Sequence, residues 1–102
     1  MQFGVYRNAG ETSDYAPYLL DVQANLLDDL DTRVVVPLVK AALFGRRAGR
    51  LHPSFTLDGE TLIAATHLIA AIRRVELGER LFRLEEQRDA VVMAMDVLLS
   101  GV

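Results

Sequence analysis

The chain has 102 residues, of which 51% are hydrophobic and 25% are charged, and its formal net charge is -3. This composition predicts one ordinary globular domain over residues 1–102 and excludes a disordered chain, and the acidic balance excludes binding to polyanions through overall positive charge. The absence of cysteine excludes a disulfide framework, and the absence of a signal-like or membrane-spanning apolar stretch predicts a soluble, cytoplasmic protein.

The first part of the sequence predicts two strands joined by a loop. Residues 2–7 alternate between apolar and polar side chains, as a half-buried strand does. Residues 8–17 collect Asn, Gly, Thr, Ser, Asp and Pro, which is typical of a loop. Residues 18–23 are apolar until Asp21 and Gln23, and they predict a second strand.

The central segment predicts a regular strand and then a basic turn. Residues 33–39 include three successive valines, which lose little conformational freedom when they are extended. Pro37 removes one backbone donor from the sheet, so we expect an edge position or a bulge there. Residues 45–49 follow as a glycine-flanked turn that carries Arg46 and Arg47.

Residues 53–64 predict a β-hairpin. Asp58-Gly59 lies between two alternating segments, and this dipeptide favours the tight turn of a two-residue hairpin. The next segment, residues 66–75, is ambiguous, since its alanines and leucines favour a helix that would continue toward Gly78.

A C-terminal helix is predicted from Leu84 onward. Leu84, Val91 and Leu98 recur every seven residues, and Gly101 lies where a helix commonly ends. Four apolar side chains near the end of this segment predict core or dimer packing rather than a cofactor or membrane stripe. They are Met93, Met95, Leu98 and Leu99, with Val102 following on the row of Met95.

Five segments, taken in their order and spacing, are typical of one protein family. They are Met1-Gln2-Phe3-Gly4-Val5-Tyr6, Leu20-Asp21-Val22-Gln23, Val34-Val35-Val36-Pro37-Leu38, His52-Pro53 ahead of the Asp58-Gly59 turn, and the final Ser100-Gly101-Val102. On these segments the whole chain resembles the CcdB family of toxins, which are small dimeric proteins that poison DNA gyrase.

The resemblance implies an α+β fold of the CcdB and MazF type, with an SH3-like barrel arrangement. A five-stranded antiparallel sheet would carry a smaller sheet at one side and one C-terminal helix across it. Residues 66–75 would then form a short helical turn, followed by a strand near residues 72–76. Two copies would join near the end of the helix as a homodimer, which brings both C-termini to one face.

The resemblance also implies that the last three residues bind the A subunit of DNA gyrase. The family usually has tryptophan, glycine and isoleucine there, where this chain has Ser100, Gly101 and Val102. Serine lacks the buried area and the aromatic face of tryptophan, and loss of such an anchor commonly costs at least about 2 kcal/mol of binding free energy. The tripeptide therefore predicts a weak gyrase poison, a changed target, or only the end of a helix.

A CcdA-like antitoxin is the second partner that the resemblance implies. In the family, its acidic disordered tail covers the loop after the first strand and the segment that matches residues 42–50. Guanidinium groups bind carboxylates bidentately, so the arginines of this segment suit such a tail, although a solvated basic turn has the same composition. The antitoxin-binding residues predicted in this way are Asn8, Ala9, Gly10, Lys40, Arg46, Arg47 and Arg50.

No catalytic site, metal site, cofactor or direct contact with nucleic acid is predicted. His52 is expected at the start of a strand and His67 in a turn, without the cysteines or carboxylates of a zinc site. A MazF-like endoribonuclease would need an acid, a base and a cation, and the residues that could supply them in principle are Asp21, His67, Arg73 and Arg74. That activity is one alternative to gyrase poisoning. The other is a CcdB-like protein that binds its antitoxin but has lost or changed the gyrase target.

Overall fold

A computed structural model describes residues 1–101, which form seven strands and one α-helix. The strands are β1 (Gly4–Asn8), β2 (Tyr18–Asp21), β3 (Thr32–Lys40), β4 (Ser54–Leu57), β5 (Glu60–Ala64), β6 (Ala70–Arg73) and β7 (Leu77–Arg83), and the helix is α1 (Arg88–Ser100). Single 3₁₀ turns lie at Asn25–Leu27, Ala41–Leu43, Gly49–Leu51, Thr66–Leu68, Arg74–Glu76 and Glu85–Gln87.

The seven strands form one antiparallel sheet that curls into a half-barrel. Its order is β4-β5-β3-β2-β1-β7, and β6 pairs with β3 beside β5. β3 is the centre of the sheet: residues 35–38 pair with β2 on one edge, while residues 32–35 pair with β6 and residues 38–40 with β5 on the other. The predicted α+β class is confirmed, and the strands that the resemblance divides between two sheets are joined through β3.

Pro37 lies inside the sheet in an unbroken register with β2, which corrects the edge position or bulge expected from the sequence. It is opposite Leu19 on β2, and on the other edge of β3 its carbonyl accepts a hydrogen bond from the backbone of Ala65 at 2.9 Å. The nitrogen and carbonyl of one strand residue point to the same edge, so the missing donor of Pro37 faces the gap between β5 and β6. The proline therefore interrupts no pair of strands.

The predicted hairpin at Asp58-Gly59 is confirmed. β4 and β5 pair up to Leu57 and Glu60, which flank the two turn residues directly. Asp58 has φ 52° and Gly59 has φ 79°. Positive φ at both positions defines the tight turn that matches the twist of the two strands.

The segment after the hairpin follows the order that the resemblance implies, a short helical turn and then a strand. The turn is Thr66–Leu68, and β6 lies two to three residues earlier than the strand expected near residues 72–76. The longer helix favoured by composition does not form. The backbone of Arg73 donates to Oε2 of Glu76 at 3.0 Å, and the backbone of Arg74 donates to the carbonyl of Asp31 at 2.7 Å. These bonds end the pairing with β3 and turn the chain toward β7.

β7 is an element that the sequence pattern does not predict. It pairs with β1 in a register that shifts twice, between Val5 and Tyr6 and between Tyr6 and Asn8. Irregularities of this kind destroy the simple alternation that identifies a strand in a sequence. Gly78 permits the close approach, because a Cβ there would lie 2.7 Å from the carbonyl oxygen of Arg7.

The helix covers the main core. α1 begins at Arg88, four residues after the predicted start, and Gly101 ends it with φ 75° and a hydrogen bond to the carbonyl of Val97 at 2.8 Å. Leu84 and Val91 are buried in one cluster with side chains of the sheet, among them Leu20, Leu38 and Leu62. Within residues 1–101, no helix combines the length and the apolar character that a membrane crossing requires.

Candidate functional site

The predicted gyrase-binding tripeptide begins on the last turn of α1. Ser100 is the final helical residue, Gly101 follows as the cap, and both are exposed. Val102 lies outside the described residues. Leu99 is 76% exposed and Met93 is 42% exposed. Met93 precedes Ser100 by seven positions and therefore shares its face of the helix.

The other two apolar helix residues behave differently. Met95 packs against the main core, and Leu98 is half-buried. The predicted packing role therefore holds for Met95 within one copy of the chain, while the end of α1 presents apolar surface to its surroundings.

The loop after β1 is held by Asn8, whose own side chain is buried. Its amide nitrogen donates to the carbonyl of Ala16 at 2.7 Å and to the hydroxyl of Thr12 at 3.0 Å, and its amide oxygen accepts from the backbone of Gly10 at 2.9 Å. Ala9 and Gly10 are exposed. Asn8 therefore fixes the shape of the loop, and its neighbours form the surface predicted to meet the antitoxin.

A groove of about 500 Å³ runs between this loop and β6. Its floor is apolar and comes from Leu19 on β2, from Val35 and Pro37 on β3, and from Ile72 on β6. The rim consists of Asn8, Ala9, Gly10 and Thr12 on one side and of Val75 and Glu76 on the other. The groove gives the predicted loop residues an apolar neighbour that the sequence does not reveal.

The basic side chains predicted to bind the antitoxin between residues 40 and 50 differ in their contacts. Lys40 ends β3 and is half-buried, and its backbone donates to the carbonyl of Tyr15 at 3.1 Å, which ties β3 to the loop after β1. Arg47 donates to the carbonyl of His52 through Nη2 at 2.9 Å and through Nε at 3.3 Å. Within residues 1–101, the guanidinium groups of Arg46 and Arg50 make no hydrogen bond or ion pair, so these two remain open to a partner.

His52 and His67 form a hydrogen-bonded pair beside this turn. Nε2 of His52 lies 2.8 Å from Nδ1 of His67, and the backbone N–H of Ala48 donates to Nδ1 of His52 at 2.8 Å. Phe44 meets both rings edge-on, with ring centroids 5.0 Å from His52 and 6.3 Å from His67. Tyr15, Phe44, Arg46 and the two histidines line one cavity of about 280 Å³.

The backbone donor of Ala48 determines the tautomers of the pair. Because a backbone N–H can only donate, Nδ1 of His52 must accept, and the neutral ring carries its proton on Nε2. That proton is donated to Nδ1 of His67, which in turn carries its own proton on Nε2. Burial, and to a smaller extent His67 and Arg47, lower the pKa of His52 and favour this neutral state. Neither facing nitrogen then has a lone pair free for a metal ion.

The residues considered for a ribonuclease are divided between separate places: Asp21 and Arg74 line one cavity, His67 lines another, and Arg73 is exposed at the end of β6. Asp21 is buried and accepts from Nη2 and Nε of Arg33 at 2.7 and 3.0 Å, and its other oxygen accepts from the backbone of Gln23. Burial by itself lowers the pKa of Arg33, but hydrogen bonds to Asp28 and Asp21 outweigh it and raise the pKa. His67 hydrogen-bonds to His52 instead.

Sequence reasoning missed the residues that organise these surfaces. Tyr15 and Phe44 have no local signal for a site, and the contact between His52 and His67 joins two turns that are distant in the sequence. The expected turn at His67 is confirmed, since His67 lies in the 3₁₀ turn Thr66–Leu68. His52, which was expected at the start of a strand, follows another 3₁₀ turn and precedes β4 by two residues.

A comparison with protein-family models adds a finding that covers the whole domain. The model described as CcdB protein matches residues 2–101. The match includes every strand, the loop after β1, the basic turn and the helix with its glycine cap. One family therefore accounts for the fold over nearly the whole chain.

Proposed function

The chain belongs to the CcdB family, whose members are toxins of toxin-antitoxin pairs, and we propose that it binds the A subunit of DNA gyrase and traps the cleaved-DNA intermediate. The exposed end of α1 at Ser100 and Gly101 is the observation that supports this proposal. The protein would act by binding and not by catalysis, and the cytoplasm would be its compartment.

A homodimer is part of the proposal. Leu99 and Met93 leave apolar side chains exposed at the end of α1, and burial of such side chains against a second copy is favourable. Pairing near this end places two copies of the C-terminal segment on one face. A dimer then offers gyrase two equal contact points, which raises the affinity beyond that of a single tail.

Ser100 supports a second candidate within the same family. A serine at the position of the usual tryptophan removes the aromatic anchor of the gyrase contact, and this loss alone weakens binding by at least about thirtyfold. The chain would then retain its antitoxin partner while gyrase is lost or replaced as the target.

The proposed antitoxin surface combines the loop after β1 with the basic turn. Arg46 and Arg50 are exposed and without a partner among residues 1–101, so a carboxylate of an acidic tail can bind either of them directly. The apolar groove is lined by Ala9, Gly10 and Thr12 of the same loop and can take apolar side chains of such a tail.

A cleavage assay with purified gyrase and supercoiled DNA tests the gyrase proposal. Cleaved DNA is expected to accumulate with the unaltered chain at high concentration and to disappear when residues 100–102 are removed. Binding of an acidic antitoxin tail without any effect on gyrase would favour the second candidate. Incubation of the same preparation with RNA checks the ribonuclease alternative, and cleavage that depends on His67 would contradict a binding-only toxin.

A further inference from the structure

The hydrogen-bonded pair of His52 and His67 has no part in the proposed gyrase contact, yet it connects the basic turn to the domain. His52 is 5% exposed and His67 is exposed on its 3₁₀ turn. On the side of the turn, the pair is bonded to Ala48, which lies between Arg47 and Gly49. The backbone of His52 adds two further links, since its carbonyl accepts from Arg47 and its N–H donates to the carbonyl of Gly49 at 3.2 Å.

We propose that the two histidines form an acid-sensitive latch, which holds the turn at residues 45–49 while both rings are neutral and releases it when the pair takes up a proton. The latch rests on the proposed function in one respect: the turn carries Arg46, which we assign to the antitoxin surface. The latch would make the shape of that surface depend on pH.

The hydrogen-bond pattern leaves no place for an additional proton. Both Nε2 atoms already carry hydrogen, so a proton can enter only at an Nδ1 atom. At Nδ1 of His52 it would face the N–H of Ala48, which is a donor. At Nδ1 of His67 it would face the Nε2 hydrogen of His52, and reversing that bond moves a hydrogen to Nδ1 of His52, again opposite Ala48.

Positive charge around the pair also disfavours the uptake of an additional proton. The turn supplies Arg46 to the cavity wall and places Arg47 on the carbonyl of His52, and the loop after β1 supplies Tyr15. α1 packs against the 3₁₀ turns at residues 49–51 and 66–68. Its charged residues, Arg88, Asp89 and Asp96, are exposed, and within residues 1–101 no carboxylate bonds to either ring. A proton on the pair therefore has no counter-charge to stabilise it.

Release of Ala48 would loosen the turn, because the buried ring of His52 is the acceptor that holds the backbone of Ala48. The other bonds of the turn, such as those from Arg47 to the carbonyl of His52, stay within residues 47–52. Gly45 and Gly49 flank the turn, and Gly49 has φ 50°. Glycine has the greatest conformational freedom of any residue, so such a turn becomes disordered readily once its bonds are lost. Phe44, which packs against both rings, loses its contact surface at the same time.

Nuclear magnetic resonance of the unaltered protein tests the latch directly. At about pH 7.5, the ring nitrogens of both histidines are expected to show the Nε2–H tautomer. Between about pH 7.5 and about pH 5, the amide-exchange protection factor of Ala48 is expected to fall about tenfold or more, while that of Val36 in the sheet remains high. Protection factors are compared because they correct for the pH dependence of intrinsic exchange.

The variant His52→Asn is the matched control, since an amide oxygen can accept from Ala48 but does not titrate in this range. Its Ala48 protection is expected to be independent of pH. Three results would overturn the latch: a charged or Nδ1–H ring at neutral pH, unchanged protection of Ala48 in acid because His67 alone rotates away, or equal loss of protection in His52→Asn. None of these measurements uses antitoxin or gyrase, so failure of the latch is separate from failure of the proposed function.

Discussion

Arg33 and Asp21 form an ion pair within the sheet, in which Nη2 and Nε of Arg33 lie 2.7 and 3.0 Å from Oδ2 of Asp21. Arg33 is 3% exposed and Asp21 is fully buried. The aspartate ends β2 and the arginine lies on the neighbouring β3, so the pair joins two central strands. Loss of Asp21 would leave the buried guanidinium of Arg33 with Asp28 alone, which is half exposed, and would also remove the carboxylate that pairs with the amino group of Met1.

The substitution Asp21→Asn is expected to destabilise the domain by about 3 kcal/mol, because breaking a buried pair is far more costly than breaking an exposed one. The matched control is Glu85→Gln, which removes the exposed pair with Arg83 and should cost less than about 1 kcal/mol. Urea denaturation at neutral pH measures both values. Equal losses would mean that the buried pair contributes no more than a surface pair.

Replacement of Gly59 by alanine is expected to cost about 1 kcal/mol, since its φ of 79° disfavours a residue with a Cβ. Gly45→Ala is the control, because a Cβ there would meet nothing within 4 Å and its φ is not positive. Thermal unfolding of the two variants compares them. A stable Gly59→Ala protein would indicate that the hairpin accepts a different turn.

The stability of the domain is expected to fall as the pH drops below about 6.5, the ordinary pKa of histidine. Burial lowers the pKa of His52 in the folded state, so the unfolded chain binds more protons in the window between the two pKa values. The contribution of neutral His52 to the free energy of unfolding is therefore complete above this window and is lost as the pH falls through it. Urea midpoints across this range should show a smaller pH dependence in His52→Asn.

Arg46→Glu and Arg47→Glu should separate binding from structure. Arg46 makes no hydrogen bond or ion pair within residues 1–101, so its reversal is expected to weaken binding of an acidic tail without a change in stability. Arg47 donates to the carbonyl of His52, so its reversal should also lower the stability of the turn. Calorimetric titration with an acidic peptide, together with urea denaturation, distinguishes the two. Unaltered peptide binding by both variants would remove the basic turn from the antitoxin surface.

Ser100→Trp is expected to raise the potency against gyrase by about thirtyfold or more, because it restores an aromatic anchor at an exposed position. The stability should be unchanged, since Ser100 is exposed at the end of α1. The gyrase cleavage assay compares this variant with Ser100→Ala, which should resemble the unaltered chain. Equal potency of tryptophan and alanine would show that this position does not contact gyrase.

The sequence alone determined the elements that follow from local chemistry: the strand of three valines, the Asp58-Gly59 hairpin and the helix that ends at Gly101. The segments typical of the family also predicted its α+β class. In each case the signal lies within a few neighbouring residues, where backbone preference and side-chain periodicity act directly.

The elements and contacts that depend on distant partners are visible only in the three-dimensional fold. β7 pairs with β1 only through two shifts of register. Pro37 is accommodated in β3 because its nitrogen faces the gap between β5 and β6. The same is true of His52 and His67, whose bond depends on two turns meeting across the fold. No local pattern encodes such contacts, because each one needs the three-dimensional path of the whole chain.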